Sequence, residues 1–278
     1  MEGHLLPRPR GQVAPSMNMA ASHPLLTVED VSITYSAGSR VVTAVSNTSF
    51  EVQPADRLVL LGPSGCGKST LLKAVAGFLK PSQGRILLDG TSIQGPSSER
   101  LLVFQEFDQL LPWKTLHENV VFALTSTGRA HRREAGEVAM AYLGKVNLTP
   151  FAHSYPHALS GGMKQRGAIA RCLAMRPAVL LMDEPFAALD ALTRQDMQRE
   201  LLALWEEIQF TMLFVTHSIP EALVLGNRIA LLSTHPGRVV AEVRVEDAWQ
   251  SGERKAVHRS LHDKIQEMLF AGALDYAI

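Results

Sequence analysis

"GPSGCGKST", residues 62–70, is the stretch on which the fold turns. It fits G-x-x-x-x-G-K-[ST], it follows the short apolar run "RLVLLG" (57–62), and it opens a helical pattern over residues 68–78. That strand–loop–helix setting is what the pattern requires. Glycines let backbone N–H groups curl round a β-phosphate, and the helix N-terminus adds its positive dipole end. The expected nucleotide cradle is therefore Gly62, Pro63, Ser64, Gly65, Cys66, Gly67, Lys68, Ser69 and Thr70. Lys68 is expected to bridge the β- and γ-phosphates of a nucleotide and Ser69 to hold Mg²⁺. Cys66 sits where the pattern admits any residue, so its thiol reads as incidental.

Outward from this loop the chain alternates. "AVLLMD" (178–183), "TMLFVTH" (211–217) and "RIALLS" (228–233) are further continuous apolar runs, as suits strands covered on both faces of a parallel sheet. "LLTVEDVSITYS" (25–36), "NTSFEVQP" (47–54) and "RILLDG" (85–90) read as half-buried strands. Helical patterns cover 132–147, 161–175, 191–209 and 219–225. The expected fold is α/β: a P-loop NTPase core with a mixed sheet, an antiparallel β subdomain and an inserted helical subdomain at about 107–176. Residues 1–23 read as a flexible tail, 24–245 as the ATP-binding domain, and 246–278 as a C-terminal helical extension.

Bulk properties fit an ordinary globular chain. It has 278 residues, 46% hydrophobic and 19% charged, with 27 basic residues balancing 27 acidic ones. No global charge draws it to nucleic acid or anionic lipid. Its two cysteines, Cys66 and Cys172, lack metal-site spacing. No apolar run approaches the roughly 18 residues of a membrane span, so any membrane role is expected to run through a partner.

Polar residues at strand tips supply the chemistry. In "VLLMDEP" (179–185) a buried strand ends in two acids. A carboxylate leaving an apolar strand is costly unless it meets a cation, so Asp183 fits the Mg²⁺ shell. Glu184 fits a water-orienting base, the alternative being a helix N-cap. His217 ends "LFVTH" and can reach a γ-phosphate, or it is a structural histidine. Gln105 ends "LLVFQ", placed to touch metal or water or simply facing solvent. Tyr35 either stacks on adenine or packs at a strand end.

"LSGGMKQR" (159–166) presents a second phosphate-type helix start, with Ser160 as N-cap before Gly161 and Gly162. One nucleotide has one γ-phosphate, and the first loop covers one side of it. A second cradle is useful if a partner subunit presents it from the opposite side; otherwise it is a plain capped helix.

These motifs in this order, with "ALD" (188–190), resemble the ATP-binding subunits of ABC transporters across residues ~24 to ~240. The resemblance implies an ATPase whose cassettes pair head to tail, Ser160, Gly161, Gly162 and Gln165 closing the other chain's ATP and Asp190 joining the two sites. "GPSSERLLVFQEFDQLLPWKTLHENVVFAL" (95–124) and "PGRVV" (236–240) resemble the nitrate/sulfonate/taurine importer branch. That implies an integral-membrane permease partner, an extracytoplasmic solute-binding protein, a small anionic solute and a place on the cytoplasmic face of the membrane. "LLPW" either tucks under the helical insert or meets the permease. Gly167 and Cys172 depart from the Val and Ala usual in that helix, which puts its packing in question. The rival, an ABC-type ATPase acting on DNA or ribosomes, calls for a long coiled coil, zinc cysteines or two cassettes, none of which the sequence carries. A plain P-loop kinase leaves "LSGG" and His217 without roles.

Overall fold

In the computed structural model, residues 23–37, 40–106, 108–245 and 254–274 are described. The proposed N-terminal tail lies, but for its last residue, outside them. In chain order the strands are β1 (Leu26–Ala37), β2 (Arg40–Val52), β3 (Arg57–Leu61), β4 (Gln83–Leu88), β5 (Thr91–Ser92), β6 (Arg100–Val103), β7 (Val179–Asp183), β8 (Thr211–Thr216), β9 (Arg228–Leu232) and β10 (Val239–Arg244). The helices are α1 (Lys68–Val75), α2 (Leu116–Ser126), α3 (Arg132–Lys145), α4 (Gly161–Ala174), α5 (Ala191–Ile208), α6 (Ile219–Leu225) and α7 (Arg254–Leu274).

The apolar runs become one sheet, ordered β10-β9-β3-β8-β7-β6. Its strands are parallel except β10, which runs antiparallel to β9. Because strand side chains alternate faces, each run divides between two cores. Val59, Leu61, Leu180, Met182, Met212, Phe214, Ile229 and Leu231 face a core shared with α2, α3, α4 and α5. Leu58, Leu60, Val179, Leu181, Leu213, Val215, Ala230 and Leu232 face a core shared with α1 and the second sheet. Each fully buried side chain of this kind contributes about 1.5–3 kcal/mol relative to exposure. Polar atoms in the middle of such a strand would be unsatisfied, so polar residues collect at the tips.

The second sheet, β2-β1-β4-β5, is antiparallel throughout. Between the neighbouring parallel strands β6 and β7 the chain makes α2, α3 and α4. The helical pattern expected there is thus found, with α2 as a separate helix opened by a Thr115–Glu118 capping box. At the end of the described chain, Ile265 of α7 is fully buried in the first core, against which Leu261, Met268 and Leu269 also pack.

Candidate active site

The phosphate loop leaves the tip of β3 and runs into α1. Its shape is forced by close backbone neighbours. A Cβ on Gly67 would lie 2.5 Å from the Ala44 carbonyl oxygen, and its φ of +95° is one that side chains rarely adopt. On the other side, a Cβ on Gly237 would lie 2.0 Å from the Cys66 carbonyl oxygen. Gly237 also exchanges backbone hydrogen bonds with β2, its N–H donating to Ala44 O (3.0 Å) and its carbonyl accepting from Ser46 N–H (3.0 Å). The "PGRVV" segment therefore clamps the loop. Sequence reading gave it only a family likeness, because a clamp depends on contacts remote in the chain.

Within the loop, Lys68 is buried, and its ammonium donates to the carbonyls of Gly62 (2.7 Å) and Pro63 (2.8 Å). Burial pushes the Cys66 thiol above its ordinary value, with nearby Lys68 opposing the shift, so it is a poor nucleophile. Ser69 Oγ donates to Asp183 Oδ1 at 2.7 Å, tying α1 to the tip of β7. Burial also raises the Asp183 carboxyl, the Ser69 hydroxyl partly offsetting it. Two hard oxygens, one on a desolvated carboxylate, fit a small divalent cation, which would relieve that desolvation.

Glu184, the next residue, turns away from Asp183. Its φ is +43°, its N–H donates to Val215 O on β8 (3.1 Å), and its Oε2 lies 2.8 Å from His217 Nδ1. A non-glycine residue held in this region costs of order 1–3 kcal/mol and is concentrated at functional sites. The helix-cap alternative for Glu184 is excluded, since Asp190 caps α5. Tyr35 is 41% exposed, with its hydroxyl 3.5 Å from Thr70 Oγ1, so it stands beside the loop rather than in a core.

The other candidates lie apart. Gln105 is exposed, two residues beyond the end of β6. Ser160 caps α4, accepting from Met163 N–H at 3.3 Å. Ser160 is exposed, whereas Gly162 is buried, and a Cβ on Gly162 would lie 3.3 Å from Thr193 Cγ2 on α5. Among the described residues no hydrogen bond joins 160–162 to the phosphate loop. Asp190 accepts from the Thr193 hydroxyl (2.6 Å) and from the N–H groups of Thr193 and Leu192, which holds its carboxyl below the ordinary range. Arg194 adds hydrogen bonds to the carbonyls of Ala187 (3.4 Å) and Leu189 (2.9 Å), fixing the "ALD" turn, a role the sequence did not signal.

Gln165 departs from expectation. Its side chain is fully buried inside its own chain and donates to Phe104 O at 3.3 Å, so it does not offer a surface for nucleotide. Trp113, by contrast, is 69% exposed, which removes the reading in which "LLPW" tucks that ring under the insert.

A phosphate loop at the tip of a buried parallel strand, with a serine–aspartate pair joining α1 to the end of β7 and a glutamate–histidine pair joining the ends of β7 and β8, defines a nucleotide-hydrolysing P-loop protein. Residues 45–187 match the ABC transporter family. The taurine import ATP-binding protein of Rhizobium johnstonii is 48% identical over 218 residues, covering 78% of this chain and 82% of that protein. The nitrate import ATP-binding protein of Synechococcus elongatus is 40% identical over 266 residues, 95% of each chain. An ATP-binding cassette solved as a dimer in a post-hydrolysis state with ADP and Pi has a TM-score of 0.69 and 32% identity, covering 80% of this chain and 99% of that one. The chain belongs to the ABC transporter family, as an ATP-binding subunit with ATPase activity.

Proposed function

We propose that two copies of this cassette, or one copy and a paralogue, close head to tail around two ATP molecules to power uptake of a small anion through a membrane permease. The observation that carries this reading is the separation of the two helix starts. The phosphate loop is tied to Asp183, while Gly162 lies against Thr193 of α5, Ser160 is exposed, and among the described residues no hydrogen bond joins 160–162 to that loop. Each chain then supplies one face to each of two sites.

Within a site, Lys68 Nζ donates to phosphate oxygens, and Ser69 with Asp183 holds Mg²⁺, with Gln105 reaching the metal or the attacking water. Held by Ser69 and Asp183, Mg²⁺ would supply positive charge to offset that of the phosphates. Glu184 orients a water and its carboxylate accepts the proton, and His217 holds that carboxylate through Nδ1 at 2.8 Å and would reach a γ-phosphate with the rest of its ring. Tyr35 stacks on the base.

Among the described residues no helix is long and apolar enough to cross a membrane. Likeness to import ATP-binding proteins supports a subunit held peripherally on the cytoplasmic face, bound to permease subunits and indirectly served by an extracytoplasmic solute-binding protein. Relatives named for import of taurine, nitrate and bicarbonate support a small anion such as nitrate, a sulfonate or taurine as the solute.

Complementation tests the trans arrangement. Lys68→Ala and Ser160→Arg chains, each in a Glu184→Gln background, are expected not to dimerise alone with ATP. Mixed, they form one intact site, and a dimer weaker than the parent's appears on size-exclusion chromatography. Absence of mixed dimers at ATP concentrations that close the parent would refute the arrangement.

A further inference from the structure

In the loop beyond β6, Gln105 lies between Phe104 and Glu106, and the side chain of Gln109 ties the backbones of both neighbours. Gln109 Oε1 accepts from Phe104 N–H (2.9 Å), while Nε2 donates to Phe104 O (2.8 Å) and Glu106 O (2.7 Å). The carboxamide thus pairs with Phe104 as a neighbouring strand would, fixing the residue before Gln105. The same Nε2 lies 3.2 Å from Oε1 of Gln165, and Gln165 Nε2 donates to the same Phe104 oxygen (3.3 Å). Gln165 is fully buried on α4, five positions after the Ser160 cap. Two more ties join this helix to the loop: Arg171 Nη1 donates to Gln109 O (2.8 Å), and Lys164 Nζ pairs with Asp108 Oδ1 (3.2 Å).

We infer that Gln109 and Gln165 are positioning residues that lock the loop carrying Gln105 to the helix beginning at Ser160. A carboxamide carries its donor and its acceptor on separate atoms, as pairing with both the N–H and the carbonyl of Phe104 requires, so this cluster, of which Gln165 is fully buried, is weakened by removing either glutamine. The consequence is mechanical. Gln105 serves the ATP held by its own chain, and Ser160 serves the ATP of the partner. Locking one to the other makes occupancy of one site bear on the geometry of the second. The inference rests on the proposed roles of Gln105 and Ser160.

The test uses the full chain in the Glu184→Gln background and reads the Mg²⁺ concentration giving half-maximal ATP-dependent dimer by light scattering. Gln109→Met and Gln165→Met keep length and flexibility while removing the hydrogen bonds. Each is expected to raise that concentration about 3- to 10-fold, the equivalent of one lost hydrogen-bonded tie. The double variant should exceed either single variant but fall short of the product of their effects, because the Gln109–Gln165 contact is lost in both singles and both glutamines act on the same Phe104 carbonyl. Gln109→Glu keeps the acceptor for Phe104 N–H but sets a carboxylate oxygen against those of Phe104, Glu106 and Gln165, so it should raise the requirement at least as much as Gln109→Met. Should a Met variant not fold, Gln109→Glu against parent carries the comparison. Gln105→Ala serves as reference. If Gln105→Ala shifts the Mg²⁺ requirement while the folded Gln109 and Gln165 variants match the parent, the lock is refuted. Multiplying effects in the double variant would also refute it, since they mean two separate structural roles. If Gln105→Ala itself matches the parent, the reading of Gln105 fails and takes the inference with it.

Discussion

Gly167 and Leu116 make a packing prediction in which one substitution changes sign. Leu116 opens α2, just after the capping box, and is fully buried. Gly167 lies in α4, and a Cβ there would stand 2.5 Å from Leu116 Cδ1 and 3.5 Å from Leu110 Cδ1. The leucine occupies the space a side chain would need. Replacing glycine by alanine in a helix interior stabilises by about 0.8–1 kcal/mol. Forcing a methyl into a filled site costs about 1–3 kcal/mol. Gly167→Ala alone should therefore destabilise by about 0–2 kcal/mol on these two terms. Leu116→Ala should cost about 2–5 kcal/mol through the cavity it leaves. With Leu116 already cut to alanine the overlap is gone, and Gly167→Ala should then stabilise by about 1 kcal/mol while filling part of the cavity. Urea denaturation of parent, single and double variants, followed by tryptophan fluorescence, gives the four free energies. An effect of Gly167→Ala equal in both backgrounds to within about 0.5 kcal/mol would refute the argument, since independent sites add to that precision. The family's usual valine at this position would meet the same leucine, so the departure from pattern is matched by its neighbour.

Two further outcomes follow from the site. Glu184→Gln keeps the shape of the side chain and loses its basicity, so steady-state ATPase should fall by about 10²–10⁴-fold. ATP-dependent dimers should persist, and turnover near the parent value would remove Glu184 from the chemistry. Trp113→Ala takes away a ring that is 69% exposed, so the melting temperature should stay within about 2 °C, as for most surface changes. Permease-stimulated ATPase should fall while the isolated chain's rate holds; a selective loss of stability instead would return Trp113 to a packing role.

What could be read from sequence was whatever depends on near neighbours. The phosphate loop, the apolar strands β3, β7 and β8, and the acids at a strand tip each carry their physics within a few residues. The first half of β2 was missed because Val41 and Val42 are exposed and its pairing with β1 passes through register shifts, which blur alternation. Edge strand β10 buries only Val243 among its residues, too little to print a pattern. Gln165 was misplaced for a different reason. Sequence gives its spacing from Ser160, but which face of α4 is buried depends on the loop at 104–109 packed against it.

Asp183 and Glu184 show how a local rule yields at the site of chemistry. Adjacent residues of an extended strand point to opposite faces, which would send one of these acids into a core. Here the strand ends at Asp183, and the +43° φ of Glu184 redirects the chain at once. One carboxylate is left on Ser69 and the other on His217. Glycine would take this torsion without strain but would bring no carboxylate. A side chain held there against its backbone preference is what turns the proposed base away from the proposed metal-holding acid one residue before it. Two acids in a row are thereby given two different partners, as the two proposed roles require, and the Glu184 backbone, with its N–H donating to Val215 O on β8, carries the torsion between them.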